Sequence, residues 1–436
     1  PNFGIDEIIN LYKKNSKKFN KNIYIKRNQG TDMPVGQKYW SRAKQIIPGG
    51  SLLFSKNPDL FLPNKWPAYF KKSKGYKIWD LEGNCLNDLS YMGVGTNILG
   101  YANQNVNSKV LQTIKSGNMT TLNSTEEIKL AEKLVEIHPW SKMVRFTRTG
   151  GEANSVAIRI ARAASGKDKV AICGYHGWHD WYLASNLSNA DNLNSHLMYR
   201  VPSKGIPKNL KNTVIPFDYN KFDQLEKIVK NNKIGVIKME VQREVQPKNN
   251  FLKKVRNLAT RNNIVLIFDE CTSGFRETFG GIHKKYNVNP DIAIFGKALG
   301  NGYAINAIIG TKEVMEHSNS SFISSTFWTE RVGPTAALET LKIMEKIKSW
   351  EIISKLGKDI KRKWIKISNS HSLDIETKNL DAIPLFVFKS KNNLAYKNFI
   401  SQEMLKKKFL ASNVIYCSVV HDNNIMNRYF EILNLS

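Results

Sequence analysis

From about residue 76 onward the chain alternates short apolar runs with longer stretches of helical periodicity. The runs Met143–Thr147, Val170–Cys173, Ile234–Glu240, Ile264–Asp269, Ile292–Phe295 and Ala307–Gly310 predict strands. Several are continuously apolar rather than alternating, as strands buried on both faces of a parallel sheet must be. Apolar positions recurring at three and four predict helices over Thr125–Glu136, Glu152–Ala164, Phe222–Val229 and Phe251–Arg261. Near residue 335 the rhythm changes. A helical pattern covers Ala336–Leu356, with Gly357 read as its stop, and strands are expected at Leu385–Phe388 and Val414–Cys417 with a helix between them. The reading is an α/β fold: a large domain with a mainly parallel sheet over 76–334, and a smaller α+β domain over 335–436. Residues 1–75 supply an N-terminal arm and part of the small domain. In such sheets ligands collect at the carboxyl ends of the strands.

Composition narrows the setting. The chain has 436 residues, 41% of them hydrophobic, enough for two cores and too many for a disordered chain. No run approaches the roughly 18 apolar residues of a membrane span, and the first thirty residues do not read as a secretory leader. A cytoplasmic protein that does not engage a membrane is expected. Cys85, Cys173, Cys271 and Cys417 stand alone, which suits a reducing compartment. His176 and His179 have a spacing two metal ligands could use, but no paired-cysteine spacing or third histidine accompanies them, and no metal site is expected. The formal net charge is +28. Its lysines travel with asparagine and isoleucine and read as a solvated surface, not a nucleic-acid groove. The densest cluster, Lys13, Lys14, Lys17, Lys18, Lys21, Lys26 and Arg27, reads as a surface helix docked through Ile8, Ile9, Leu11 and Tyr12.

Three segments carry chemistry. Arg148-Thr149-Gly150-Gly151-Glu152 follows a strand and opens a helix; its free N–H groups suit a phosphate, although two glycines there also serve a plain turn. Ile264–Asp269 ends in a carboxylate facing the ligand side, with Cys271 two residues on and on the same side; the alternative is a loop anchor. Gly296-Lys297 leaves an apolar strand into a loop with Gly300 and Gly302; a desolvated amine there attacks carbonyls, whereas a surface turn would need no such chemistry. Together they supply what pyridoxal phosphate needs: an anion site, an acid for the pyridine nitrogen, and a lysine 28 residues after that acid.

In order and spacing, Thr149-Gly150-Gly151-Glu152-Ala153, Asp269-Glu270-Cys271-Thr272-Ser273-Gly274-Phe275-Arg276 and Gly296-Lys297-Ala298-Leu299-Gly300 resemble the class III aminotransferases, a group that includes glutamate-1-semialdehyde aminomutase. The likeness runs from about Tyr39 to the end and takes in Pro48-Gly49-Gly50, Trp79-Asp80 and Ser324–Glu330. It implies fold type I and a homodimer with shared active sites. It also implies Lys297 as the Schiff-base lysine, Asp269 on the pyridine nitrogen, and Gly150 and Gly151 on the phosphate. Tyr175 would stack on the ring with His176 beside it, Cys271 would pack the opposite face, and Glu240 would stand near the 3′-oxygen side. Thr326 would reach the neighbouring subunit's phosphate. The resemblance further implies amino transfer between a donor and a keto or aldehyde acceptor, with intramolecular transfer of the aminomutase kind as the alternative. Three positions depart from the pattern. Gly151 stands where many relatives have threonine, and Cys271 where valine is usual. Lys56, six residues past Gly50, stands where the aminomutase carries a carboxylate-binding arginine; it keeps the charge but loses the bidentate fork.

Overall fold

The computed structural model describes residues 33–196 and 201–436. The basic N-terminal arm lies outside the described residues. In chain order the elements used below are α1 (Val35–Ile46), β1 (Phe70–Lys74), β2 (Lys77–Asp80), β3 (Cys85–Leu89), α2 (Gln104–Lys115), α3 (Thr125–Ile137), β4 (Met143–Thr147), α4 (Gly150–Ser165), β5 (Lys169–Cys173), β6 (Val214–Pro216), α5 (Phe222–Asn231), β7 (Ile234–Glu240), α6 (Phe251–Arg261), β8 (Val265–Asp269), β9 (Ile292–Phe295) and β10 (Asn306–Gly310). They continue with α7 (Val332–Ile347), α8 (Ser349–Ser370), β11 (Ile375–Lys378), β12 (Leu385–Phe388), α9 (Asn393–Lys406), β13 (Phe409–Ala411) and α10 (Asn423–Leu435).

The chain folds as two compact units, Gln104–Glu351 and the described residues up to Asn103 together with Ile352–Ser436. The first holds a seven-stranded sheet in the order β4-β10-β9-β8-β7-β5-β6. β5 through β9 pair in parallel, and β10 runs antiparallel to both of its neighbours. The continuous apolar runs have the predicted consequence: every residue of β7, β8 and β9 is buried. Helix α4 lays Ala153, Val156, Ala157, Ile160 and Ala161 on the sheet against Val170, Val236, Ile267 and Ile294. Burying each large aliphatic side chain contributes roughly 1.5–3 kcal/mol. A capping box at Thr149 starts the helix, and Gly166, in the left-handed conformation, stops it.

The second unit holds the sheet β1-β2-β3-β13, with β13 parallel to β3, and the β11–β12 hairpin. Its limits differ from the sequence expectation of 76 and 335. β2 and β3 pair with β1 and β13, which keeps residues 77–89 in this unit. Helix α7 stays with 104–351, where Thr335 hydrogen-bonds Thr113 of α2 at 3.1 Å. Two further expectations are corrected. The pattern over 336–356 is two helices broken at Lys348, whose backbone is left-handed, and Gly357 lies inside α8. That glycine serves close packing rather than termination, since a Cβ there would sit 1.6 Å from the Asp381 carbonyl oxygen. Val414–Cys417 is not a ladder strand: Ile415, Tyr416 and Cys417 donate in turn to Pro384, Ser90 and Ala382.

Candidate active site

β8 delivers Asp269, 4% exposed, to its carboxyl end, beside Glu240 in register on β7. Oδ1 accepts the Cys271 N–H at 3.1 Å, and Oδ2 accepts from His176 Nδ1 at 2.9 Å. Lys238 Nζ stands 3.7 Å from Oδ2. Burial alone would push this carboxyl's pKa up. The Lys238 charge and the His176 hydrogen bond reverse that and hold it well below the usual carboxylate range. Burial, then the Lys238 charge, push His176 down, so its ring is neutral and Nδ1 carries the proton given to Asp269. The buried His176 Nε2 has no hydrogen-bond partner among the described residues.

Lys297 leaves β9 through Gly296 with φ 42°, a region lysine seldom occupies. Its Nζ donates to Thr272 Oγ1 at 2.8 Å, in the turn that follows Asp269. Gly296 is obligatory: a Cβ there would lie 1.9 Å from Asn306 Oδ1. Asn306, at the start of β10, donates to the Arg148 carbonyl at 3.0 Å and lies 3.8 Å from Cys271 Sγ. One asparagine thereby ties together the ends of β4, β8 and β9. Burial pushes the Cys271 thiol up, which favours its neutral form.

At the start of α4 the capping box consumes the N–H groups of Glu152 and Thr149. The amides of Gly150 and Gly151 remain at the positive end of the helix. A Cβ on Gly151 would lie 2.9 Å from His179 Nε2, so the missing side chain makes room for an imidazole. His179 Nδ1 is 2.7 Å from Ser155 Oγ, which itself accepts from Trp181 Nε1 at 3.1 Å. Tyr175 follows β5, its N–H donating to Glu240 Oε2 at 3.1 Å. Gly174, with φ 112°, lets that carboxylate approach its Cα. Arg243 Nη1 pairs with Glu240 at 3.2 Å.

The structure therefore brings Asp269, His176, Glu240, Tyr175, Cys271, Gly150, Gly151 and Lys297 to one end of one sheet. Thr326 opens an exposed 3-10 turn in the same unit. Arg148 holds that turn, donating to the carbonyls of Trp328 at 2.8 Å and Glu330 at 2.7 Å and pairing with the Glu330 carboxylate at 2.8 Å. Lys56 is exposed in the other unit, at the end of the 3-10 turn Phe54–Lys56. Lys238, Asn306, Thr272 and the Arg148–Glu330 pair take places the sequence did not assign, and His179, weighed there only as a metal ligand, stands beside Gly151 instead. Only Lys238 carried a visible signal, a lone charge inside the apolar run Ile234–Met239.

The sequence profile of the family described as Aminotransferase class-III matches residues 63–378. The chain belongs to the class III aminotransferases. It is 33% identical over 368 residues to a 3-aminobutyryl-CoA aminotransferase of Cloacimonas acidaminovorans, covering 82% of this chain and 84% of that one. It is 32% identical over 335 residues to a glutamate-1-semialdehyde 2,1-aminomutase of Sulfurisphaera tokodaii, covering 75% and 78%. The FumI protein of Sphingopyxis sp. MTA144, solved with its pyridoxal phosphate, shares the fold at a TM-score of 0.83 and 22% identity, covering 92% of this chain and 95% of that one. Class III aminotransferases are fold type I enzymes that use pyridoxal phosphate. The residues present fit that cofactor on three counts: a buried carboxylate held ionised, a lysine amine at the same end of the sheet, and a helix start that opens on two glycines.

Proposed function

We propose that this aminotransferase moves an amino group between an amino donor and a keto or aldehyde acceptor, using the strand-end cluster around Asp269 and Lys297. The observation that carries the reading is Asp269, buried yet kept anionic by His176 and Lys238. Pyridoxal phosphate, when bound, supplies an aldehyde carbon and a ring that takes up electrons. Lys297 Nζ would hold the cofactor at that carbon and, when free, would move the proton at the donor's reacting carbon. Asp269 holds the proton at the ring nitrogen. Gly150 and Gly151 bind the phosphate through their amides, with His179 Nε2 beside them. Tyr175, fixed through its backbone by Glu240, and Cys271 would enclose the ring, while His176 orients Asp269.

Active sites shared in a homodimer are part of the proposal, with Thr326 reaching the phosphate of the partner's cofactor. Its support is the exposed turn, rigidly braced by Arg148, that presents Thr326. Mixing Lys297→Ala subunits with Thr326→Ala subunits should give heterodimers with one doubly damaged site and one intact site. The mixture should exceed both parents in activity; no gain would contradict sharing. A cytoplasmic location suits the four free cysteines. No helix among the described residues is long and apolar enough to cross a membrane.

Lys56 is proposed to read an acidic group on the substrate. Intramolecular transfer, the activity in the name of the Sulfurisphaera relative, is the second reading. The test is a panel of amino donors added to the loaded enzyme while the bound cofactor's absorbance is followed. A productive donor should bleach the visible band, and an added keto acid or aldehyde should restore it. Turnover of one amino compound to its isomer with no acceptor present would favour the second reading, and a band that no donor bleaches would contradict both.

A further inference from the structure

Lys238 sits inside β7 with Ile237 before it and Met239 after it, and it is 0% exposed. Its Nζ has no hydrogen-bond partner among the described residues, and its ion pair is the 3.7 Å approach to Asp269 Oδ2. Lysine is among the residues least often fully buried, and a methionine would fill the same space without a desolvated charge. The charged or titratable groups facing it are Asp269 and Cys271 from β8 and the turn after it, Glu240 on its own strand, and His176 from the loop after β5. Glu240 is engaged by Arg243 and the Tyr175 amide, while Cys271 and His176 are neutral. Burial lowers the Lys238 ammonium's pKa, and Asp269, 3.7 Å away, is the foremost of the neighbours that raise it back, so Asp269 is the counter-charge that Lys238 serves.

Resting on the reading that Asp269 faces the cofactor's ring nitrogen, we infer that Lys238 competes with that nitrogen for Asp269 and so loosens the site's hold on the ring proton. A carboxylate with an ammonium already beside Oδ2 offers a second cation less attraction. The two cations, separated by a single carboxylate, also repel each other, and in a dry interior that repulsion is poorly screened. Lys238 is thus a positioning residue acting through Asp269. It keeps the carboxylate ionised in the empty protein and limits how firmly the ring stays protonated in the loaded one.

The test uses pyridoxal phosphate labelled with ¹⁵N at the ring nitrogen, bound to the wild type, Lys238→Met and Lys238→Gln, with the nitrogen shift followed against pH. Both variants remove the charge; one is apolar and the other polar, so a packing effect would separate them. Both should raise the proton-binding constant of the ring nitrogen about tenfold or more, a shift of about one pH unit. A second readout is binding of the cofactor to apoprotein, compared with 1-deazapyridoxal phosphate, which carries carbon in place of that nitrogen. The preference for the native cofactor should rise by a similar factor in both variants. A wild-type preference that neither variant increases, or that only one does, overturns the inference alone. No preference in the wild type overturns the Asp269 reading, and the inference with it.

Discussion

The Asp269 cluster in the 104–351 unit and the Leu53–Leu60 segment in the other unit place charges under opposite conditions. Asp269 is 4% exposed, with its two oxygens committed to Cys271, His176 and Lys238. Lys56 is exposed on a short turn, and what is buried there is its support: Asn57 accepts the Asp59 N–H at 2.9 Å, and Leu60, Phe61 and Leu62 pack with Trp66. A charge in the first setting acts at low dielectric and is barely screened. A charge in the second competes with water and salt. The chemistry should accordingly be costly to perturb and indifferent to ionic strength, while substrate selection should be mild and sensitive to salt.

Breaking the first setting should give the largest effects. Lys297→Ala should remove turnover altogether while circular dichroism shows a folded protein; measurable turnover would mean the lysine is dispensable. Asp269→Asn replaces the ionised acceptor with a neutral amide. Loss of a charge-assisted hydrogen bond of about 1.5–3 kcal/mol should lower kcat roughly ten- to more than a hundredfold. An unchanged kcat would reduce Asp269 to a loop anchor.

Stability separates burial from catalysis. Burial pushes His138, His196 and His421 down to about 4 in the folded protein. The unfolded chain, with histidine near about 6.5, binds more protons between those values. Stability is therefore full above that upper value and falls as pH drops toward the lower one, by about 1.4 kcal/mol per pH unit for each histidine across the window. Thermal melting at a series of pH values checks the direction; a Tm that rises on acidification through this window would contradict it.

The smallest effect belongs to the exposed setting. Lys56→Ala should raise KM for acidic substrates up to about fivefold, as expected of an exposed ion pair worth 0.2–1 kcal/mol, approximately. Neutral substrates should be unaffected, and high salt should erase the difference. Equal changes for all substrates would make Lys56 an ordinary surface lysine.

What was legible in the sequence depended on whether a residue's role was local. Ile234–Glu240 and Ile292–Phe295 begin and end as read, because a strand buried on both faces reads as a nearly continuous apolar run. The start of α4 was read to within two residues, at Glu152 instead of Gly150, because the signals for it, a strand, two glycines and an apolar helix face, are adjacent in the chain. Gly357 was misread because a glycine within a helical pattern looks the same whether it stops the helix or admits a carbonyl from residue 381. Asn306 and Arg148 were passed over because their partners lie more than 150 residues away. Lys238 could be seen as an oddity in its strand, but its meaning required the strand order that sets β7 beside β8.

The central claim is that Lys297 is the lysine that holds the cofactor. Reduction of the loaded enzyme with borohydride fixes the cofactor to whichever amine carries it, and peptide mass mapping then locates the adduct. Reduction should leave one phosphopyridoxyl group per chain, on Lys297, absent from the Lys297→Ala protein. An adduct on another lysine, the buried Lys238 above all, or no adduct at all, would contradict that claim.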